Sequence, residues 1–256
     1  LIATGTTARA RGRRDESMVS LDEALALAER LDNPYRRTSA LYQLSVLHLD
    51  LKQGDRALAS ALEAWTFAEA SGSAYAMANA RMAESAALEL LDRPDRELAA
   101  MQEALAIAQK SKSTIAESRA LVNLSDIQLR RHRYKEAFDL AKKSLDLAMA
   151  LEDSGLASTC KANMGFALFG LGRVPEGKRL TDEAVAGYER TGATSEIAGL
   201  LGEYGQYLEK AGDHKAALAL FHRERKLNDE IAQSAHERTV LELQEKYESD
   251  KRQREI

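Results

Sequence analysis

The chain has 256 residues, 45% of them apolar and 30% charged, with a formal net charge of −4. That length supports a large core, and the negative balance argues against the basic face that nucleic-acid binding needs. Cys160 is the only cysteine, which excludes an internal disulfide and a cysteine metal cluster, and no run of about eighteen apolar residues is present to span a bilayer.

Residues 1–34 read as a damaged copy of a unit that recurs afterwards. Gly5 holds the small position of a first helix and Gly12 its turn, and SMVSLDEALALAERLDNP supplies a second helix closed by Asn33 and Pro34. An opening at Leu1, without Met and part-way through the first helix, reads as a piece of a longer protein. Arg9, Arg11, Arg13 and Arg14 cluster at the first turn. Given the overall charge, they read as a solvated loop rather than a nucleic-acid or membrane site.

From residue 35 a period of forty takes over, giving units 35–74, 75–114, 115–154, 155–194 and 195–234 without insertion or deletion. Three series of small residues keep this spacing. The first is Ser45, Ser85, Ser125, Gly165 and Gly205; the second is Ala24, Ala64, Ala104, Ser144 and Ala184. The third is Ala57, Ala137, Gly177 and Ala217. Small side chains at a fixed period mark close helix crossings in a stacked array. Each unit reads as a helical hairpin, with turns near 52–54, 92–94, 132–134, 172–175 and 212–213. In the last unit Leu200, Leu201, Tyr204, Tyr207 and Leu208 share one helical face, and Ala211-Gly212-Asp213 ends one helix and caps the next. Pro34 precedes a first helix, while Pro94 and Pro175 fall in the first turn of second helices, where the missing N–H costs nothing. Strand-like alternation is absent, so the predicted class is all-α and residues 1–234 form one solenoid.

After 234 the period stops. The last helix is predicted to run on from about Asp213 to the C-terminus, making 235–256 an extension of it. Leu220, Leu227, Ser234 and Leu241 keep a heptad spacing, as do Val240 and Tyr247, amid charges of alternating sign. That pattern suits a solvated helix or a weak two-stranded coil.

No phosphate-cradling glycine loop, serine nucleophile elbow or HExxH zinc helix occurs. His48, His132, His214, His222 and His236 lack metal-ligand spacing, and pairs such as Asp22-Glu23 and Asp182-Glu183 suit the positive ends of helix dipoles. Cys160 is expected to pack inside its helix. The chain therefore reads as a non-enzymatic module with no cofactor and no metal.

The order Leu201, Tyr204, Gly205, Leu208, Gly212, Ala217 and Phe221 resembles the tetratricopeptide repeat. Departures occur elsewhere: Glu97 replaces the second-helix alanine, Arg81 and Glu84 stand at usually apolar positions, and Asp92 and His132 replace the turn glycine. The resemblance implies a right-handed α-solenoid whose first helices line a concave groove. In that register the groove-facing residues are Tyr42, Met82, Arg119, Asn123, Asp126, Asn163, Phe166, Phe169, Glu203 and Gln206. Asn123 and Asn163 occupy a position that in such proteins often binds a ligand's peptide backbone, a task suited to a group that donates and accepts at once. Phe166 and Phe169 would add an apolar pocket. The competing reading keeps both asparagines bonded within the solenoid and both phenylalanines in its core. The groove's mixed charge does not suit a carboxylate clamp of several lysines and arginines.

The stretch LNDEI…ELQEKYESDKRQREI resembles the connector that follows tetratricopeptide arrays in bacterial sensor proteins, ahead of a diguanylate cyclase (GGDEF) or histidine kinase. This resemblance implies a sensory module of a signal-transduction protein. Its groove would take a protein, peptide or small ligand, and its last helix would relay binding to an output domain and pair into a homodimer. It further implies a periplasmic region of an inner-membrane protein. The alternative is a cytoplasmic interaction scaffold without an output domain.

Overall fold

The computed structural model describes residues 1–254. All regular structure among them is helical, in six successive hairpins. The first is short, α1 (Ile2–Ala10) with α2 (Arg14–Arg30). Next come α3 (Pro34–Asp50) with α4 (Gly54–Ser71), α5 (Ala74–Leu90) with α6 (Pro94–Lys110), and α7 (Thr114–Arg130) with α8 (Tyr134–Ala150). The last two pair α9 (Ser154–Gly170) with α10 (Val174–Thr191) and α11 (Thr194–Lys210) with α12 (His214–Arg254). Residues 255 and 256, part of the expected connector, lie outside the described residues.

The boundaries have a local cause that repeats every twenty residues, half the sequence period. Gly12, Asp32, Lys52, Gly72, Asp92, Lys112, His132, Glu152, Gly172, Gly192 and Gly212 all have positive φ, between 46° and 84°. At these sites the chain turns left-handed and the next N–H reaches back into the finished helix. Asn33 N donates to Ala28 O at 3.0 Å and Asp32 N to Glu29 O at 3.0 Å; Asp213 N donates to Leu208 O at 2.9 Å and Gly212 N to Glu209 O at 3.0 Å. This double closure satisfies carbonyls that a helix end otherwise leaves unpaired. The residue that closes one helix also opens the next. Asn33, Ser73, Ser113 and Asp153, forty apart, cap α3, α5, α7 and α9 through their side chains. Asp213 caps α12 in the same way, accepting from Ala216 N at 3.2 Å. Arginines stand in this place before α2, α6, α8 and α10, and Arg13 and Arg173 pair with Glu16 and Glu176 three residues on, at 2.7 and 2.6 Å.

The small-residue series mark the crossings. Ser45 Oγ donates to Ala57 O at 2.8 Å and Ser85 Oγ to Glu97 O at 3.0 Å, the same bond one period apart. Gly165 lies so close to α10 that a Cβ there would stand 2.3 Å from Thr181 Oγ1 and 3.0 Å from Gly177 O. Ser144 bonds Ser118 on α7, donating to its carbonyl at 2.7 Å, and accepts from Cys160 Sγ on α9 at 3.1 Å. Burial pushes the Cys160 thiol up to about 11, and the hydrogen bond to Ser144 opposes that rise. The departures from the repeat are compensated in place. Glu97, 5% exposed where alanine is usual, pairs with Arg130 of the following hairpin. Arg81 bonds Glu84 at 2.5 Å and Glu103 at 2.9 Å while its guanidinium sits 3.7 Å from the Trp65 ring centroid.

Curvature follows from which helices touch. Each first helix contacts the first helix of the next hairpin, in the series α1, α3, α5, α7, α9 and α11, whereas among the described residues second helices do not meet one another. The first helices are therefore crowded on the inner wall and the second helices splay outside, as in other stacked-repeat proteins. Along α12 only Ala216, Ala217, Leu220, Phe221, Glu224, Leu227 and Ile231 are buried or half-buried among the described residues; every described side chain beyond Ile231 is exposed. The helix leaves the body there and continues for roughly 35 Å at 1.5 Å per residue.

Candidate functional site

The inner wall holds an open cavity of ≈ 410 Å³ formed by α3, α5, α7 and the start of α9. Its floor is apolar, with Tyr42, Val46, Leu49, Met82, Val122 and Leu156. Asn79, Arg119, Asn123 and Thr159 bring polar groups to it. These residues recur because helical positions three and four apart on every first helix face the same way, so the forty-residue period lays them in rows across the wall. Burial holds the Tyr42 phenol above its ordinary range, opposed by the charges of Arg119 and Arg9.

Four of the expected groove residues, Tyr42, Met82, Arg119 and Asn123, meet in this cavity. Asn123 is exposed, and its amide lies 3.9 Å from Met82 Sδ, too weak a contact to occupy it. Asp126, Glu203 and Gln206 lie outside it, toward the C-terminal half of the wall; Glu203 and Gln206 are exposed and Asp126 is half-buried. Asp126 pairs with Arg130, which Glu89 also meets at 3.2 Å.

Asn163, Phe166 and Phe169 do not face the groove as the repeat register implied. Asn163, 8% exposed, donates to Val122 O at 3.3 Å and Ser125 Oγ at 3.2 Å on the preceding first helix. Phe166 stacks on Tyr207 of α11 with centroids 4.6 Å apart, and Phe169 packs against Tyr204 and Tyr207. The cause is the contact between neighbouring first helices, which seals large side chains between them and leaves Asn123, the same position one period earlier, open. The reading that places these three in the wall is the one realised.

The C-terminal half of the wall carries two carboxylates, Asp126 and Glu203, between its cations Arg130 and Lys210. Partial loss of solvent pushes the Glu203 carboxyl up to about 7, aided by the Asp126 charge and opposed by Arg130 and Lys210. The same burial, with the Glu203 charge beside it, raises the Tyr207 phenol. Asp126 is likewise raised by burial and held back by Arg130.

Sequence reasoning missed Asn79, whose carboxamide oxygen is buried without a hydrogen-bond partner. The signal was available, since Asn79 stands one period before Arg119. Among the described residues no group of three or more His, Cys, Asp or Glu side chains could hold a metal ion, and no helix is long and apolar enough to cross a membrane.

No protein-family model matches the chain, and no curated protein matches it by sequence. Solved structures do match in fold. The apo form of RapI superimposes with a TM-score of 0.76 at 15% identity, covering 91% of this chain and 83% of that one. A Rap protein complexed with competence and sporulation factor gives 0.76 at 16% identity, covering 90% of this chain; this chain spans only 63% of that protein's length. The STAND protein with a tetratricopeptide repeat sensor from Pyrococcus horikoshii gives 0.66 at 13% identity, over 94% of this chain and 42% of that one. The chain is a tetratricopeptide-like α-solenoid.

Proposed function

We propose that this chain is the sensory module of a signal-transduction protein, binding a peptide or the extended segment of a protein partner in its concave groove. The observation that carries this reading is the cavity on the inner wall, where Arg119 and Asn123 stand exposed over an apolar floor. A few convergent polar groups above apolar surface make a recognition site. The matching fold of a Rap protein complexed with competence and sporulation factor supports a ligand in such a solenoid. In the proposed relay, α12 carries the bound state to an output domain of the cyclase or kinase kind, which works as a pair. Ligand shifts that output only through unequal affinity for two arrangements of the paired helices.

A library of short random peptides, selected on the full chain, tests the groove. Enriched peptides should bind the wild-type protein saturably and lose affinity for a Met82→Arg variant that fills the floor but retains its helical circular-dichroism spectrum. Peptides that bind both proteins equally would place the site elsewhere, and a selection that enriches nothing would end the reading.

A further inference from the structure

The groove changes character along its length, and its charges do not all neutralise one another. Arg119 stands in the cavity, exposed, with no ion-pair partner among the described residues. Two turns further along the same face of α7, roughly 10 Å at 1.5 Å per residue, comes Asp126. Glu203 on α11 feels the charge of Asp126 and is likewise without an ion-pair partner among the described residues. The cations near that end are engaged: Arg130 by Glu89, Glu97 and Asp126, and Lys210 over the Tyr207 ring at 5.7 Å. Apolar side chains, Tyr42, Met82 and Leu156 among them, floor the space beside Arg119.

A separate observation concerns Asn79. It is 8% exposed and borders both the ≈ 410 Å³ cavity and its ≈ 210 Å³ neighbour, which Tyr35, Gln43 and Tyr75 also line. Its buried oxygen has no donor. An unmet buried acceptor costs free energy, and a ligand N–H that Asn79 turns to meet removes the cost.

We infer that the groove selects an extended peptide segment with a bulky apolar anchor, an acidic residue on the Arg119 side and a basic residue on the Asp126–Glu203 side. This rests on the peptide-binding reading proposed above and specifies its ligand. A strand rises about 3.3 Å per residue, so three to four residues span Arg119 to Asp126 with the anchor between them. The backbone N–H groups of such a segment supply the donor Asn79 lacks. Unlike charges at each end give favourable pairing, and like charges are penalised, which makes charge order a selectivity device.

Four fluorescein-labelled peptides titrated into the full chain at low salt and about pH 8, where Glu203 is ionised, test this by anisotropy. The first is Gly-Glu-Ala-Leu-Ala-Lys-Gly; two others carry Glu or Lys at both charged positions, and the fourth replaces Leu with Ala. The first should bind roughly tenfold tighter than each of the rest. Arg119→Gln should erase its advantage over the doubly basic peptide, and Glu203→Gln should shrink its advantage over the doubly acidic one, both variants keeping the wild-type circular-dichroism spectrum. Equal affinity for all four, or preferences unchanged in both variants, overturns the charge pattern. If that equal binding is lost in Met82→Arg, the peptide groove still stands. Absence of saturable binding up to about millimolar, with no peptide enriched from the random library, removes both.

Discussion

Glu203 shows at the scale of one residue how a concave wall changes chemistry without burying a group outright. Its side chain is exposed to the groove, yet protein surrounds it closely enough, with Asp126 nearby, to push its carboxyl up to about 7. In the unfolded chain the group titrates near 4.3. Between those values the native state holds a proton that the unfolded state has released, so stability falls as pH rises through this window and levels off above about 7. Glu203→Gln keeps the shape and discards the titration. Thermal melts should therefore show a flatter pH dependence between pH 5 and pH 7 for the variant, and a higher midpoint than wild type at about pH 8. Superimposable pH profiles would show that Glu203 is solvated as freely as in an unfolded chain. The sequence placed Glu203 on the groove side through its period but gave no sign of the shift, because the charge that helps cause it comes from two hairpins away. The same limit explains Asn163 and Phe166: the register correctly assigned them to the first-helix row that bends inward, and only the neighbouring helices decide whether that row is open or sealed. Tyr207 caps Phe166, whereas the corresponding side of Asn123 is open.

At the scale of the helix, the hairpin units were legible because small residues, prolines and turn glycines fell at one spacing. The finer rule, a left-handed residue every twenty, was hidden by the side chains that occupy it. Asp92 and His132 read as departures from the glycine turn, yet their φ values of 53° and 57° place them in the same conformation as Gly72 at 66°. A non-glycine residue there costs about 1–2 kcal/mol, which packing on both flanking helices outweighs. Lys112, at φ 55°, is the cleanest place to recover that cost, since glycine adopts the conformation without steric penalty but loses more backbone entropy on folding. Lys112→Gly should raise stability by about 1 kcal/mol or slightly less, and Gly172→Ala, at φ 75°, should lower it by about the same amount. Denaturant melts of the two variants beside wild type check both signs. A Gly172→Ala protein as stable as wild type would mean that this turn relaxes away from the left-handed form in solution. The compensations at Glu97 and Arg81 follow the same logic. Each breaks the local repeat pattern and is met by a partner from another helix, Arg130 in one case and Trp65 with Glu103 in the other.

For the whole molecule the proposed function raises the question of how an array of hairpins would report an event in its groove. The stack is continuous to α11, and α12 is the element that leaves it, so in the proposed relay a change in the array reaches the output through the α11–α12 contact. Leu220 and Leu227, two positions of the expected heptad seam, are consumed by that contact and pack into the last core cluster. What remains for pairing is the distal surface, where Val240, Leu241, Leu243 and Tyr247 are 39%, 59%, 62% and 72% exposed. Val240, Leu243 and Tyr247 follow three- and four-residue spacings and so share one side of the helix. Few apolar residues among many charges predict a weak association, which suits the proposed relay better than a permanent dimer, because small differences in ligand affinity can shift a weak equilibrium. A fragment ending at Gln233 keeps every α12 residue that packs on the body and removes this surface. Sedimentation across a concentration series should show the full chain self-associating and the fragment monomeric, both with the same helical content per residue in the solenoid. Val240→Lys combined with Leu243→Lys in the full chain should behave as the fragment does. If all three proteins sediment alike, pairing either resides in the solenoid or does not occur, and the route from groove to output through α12 fails.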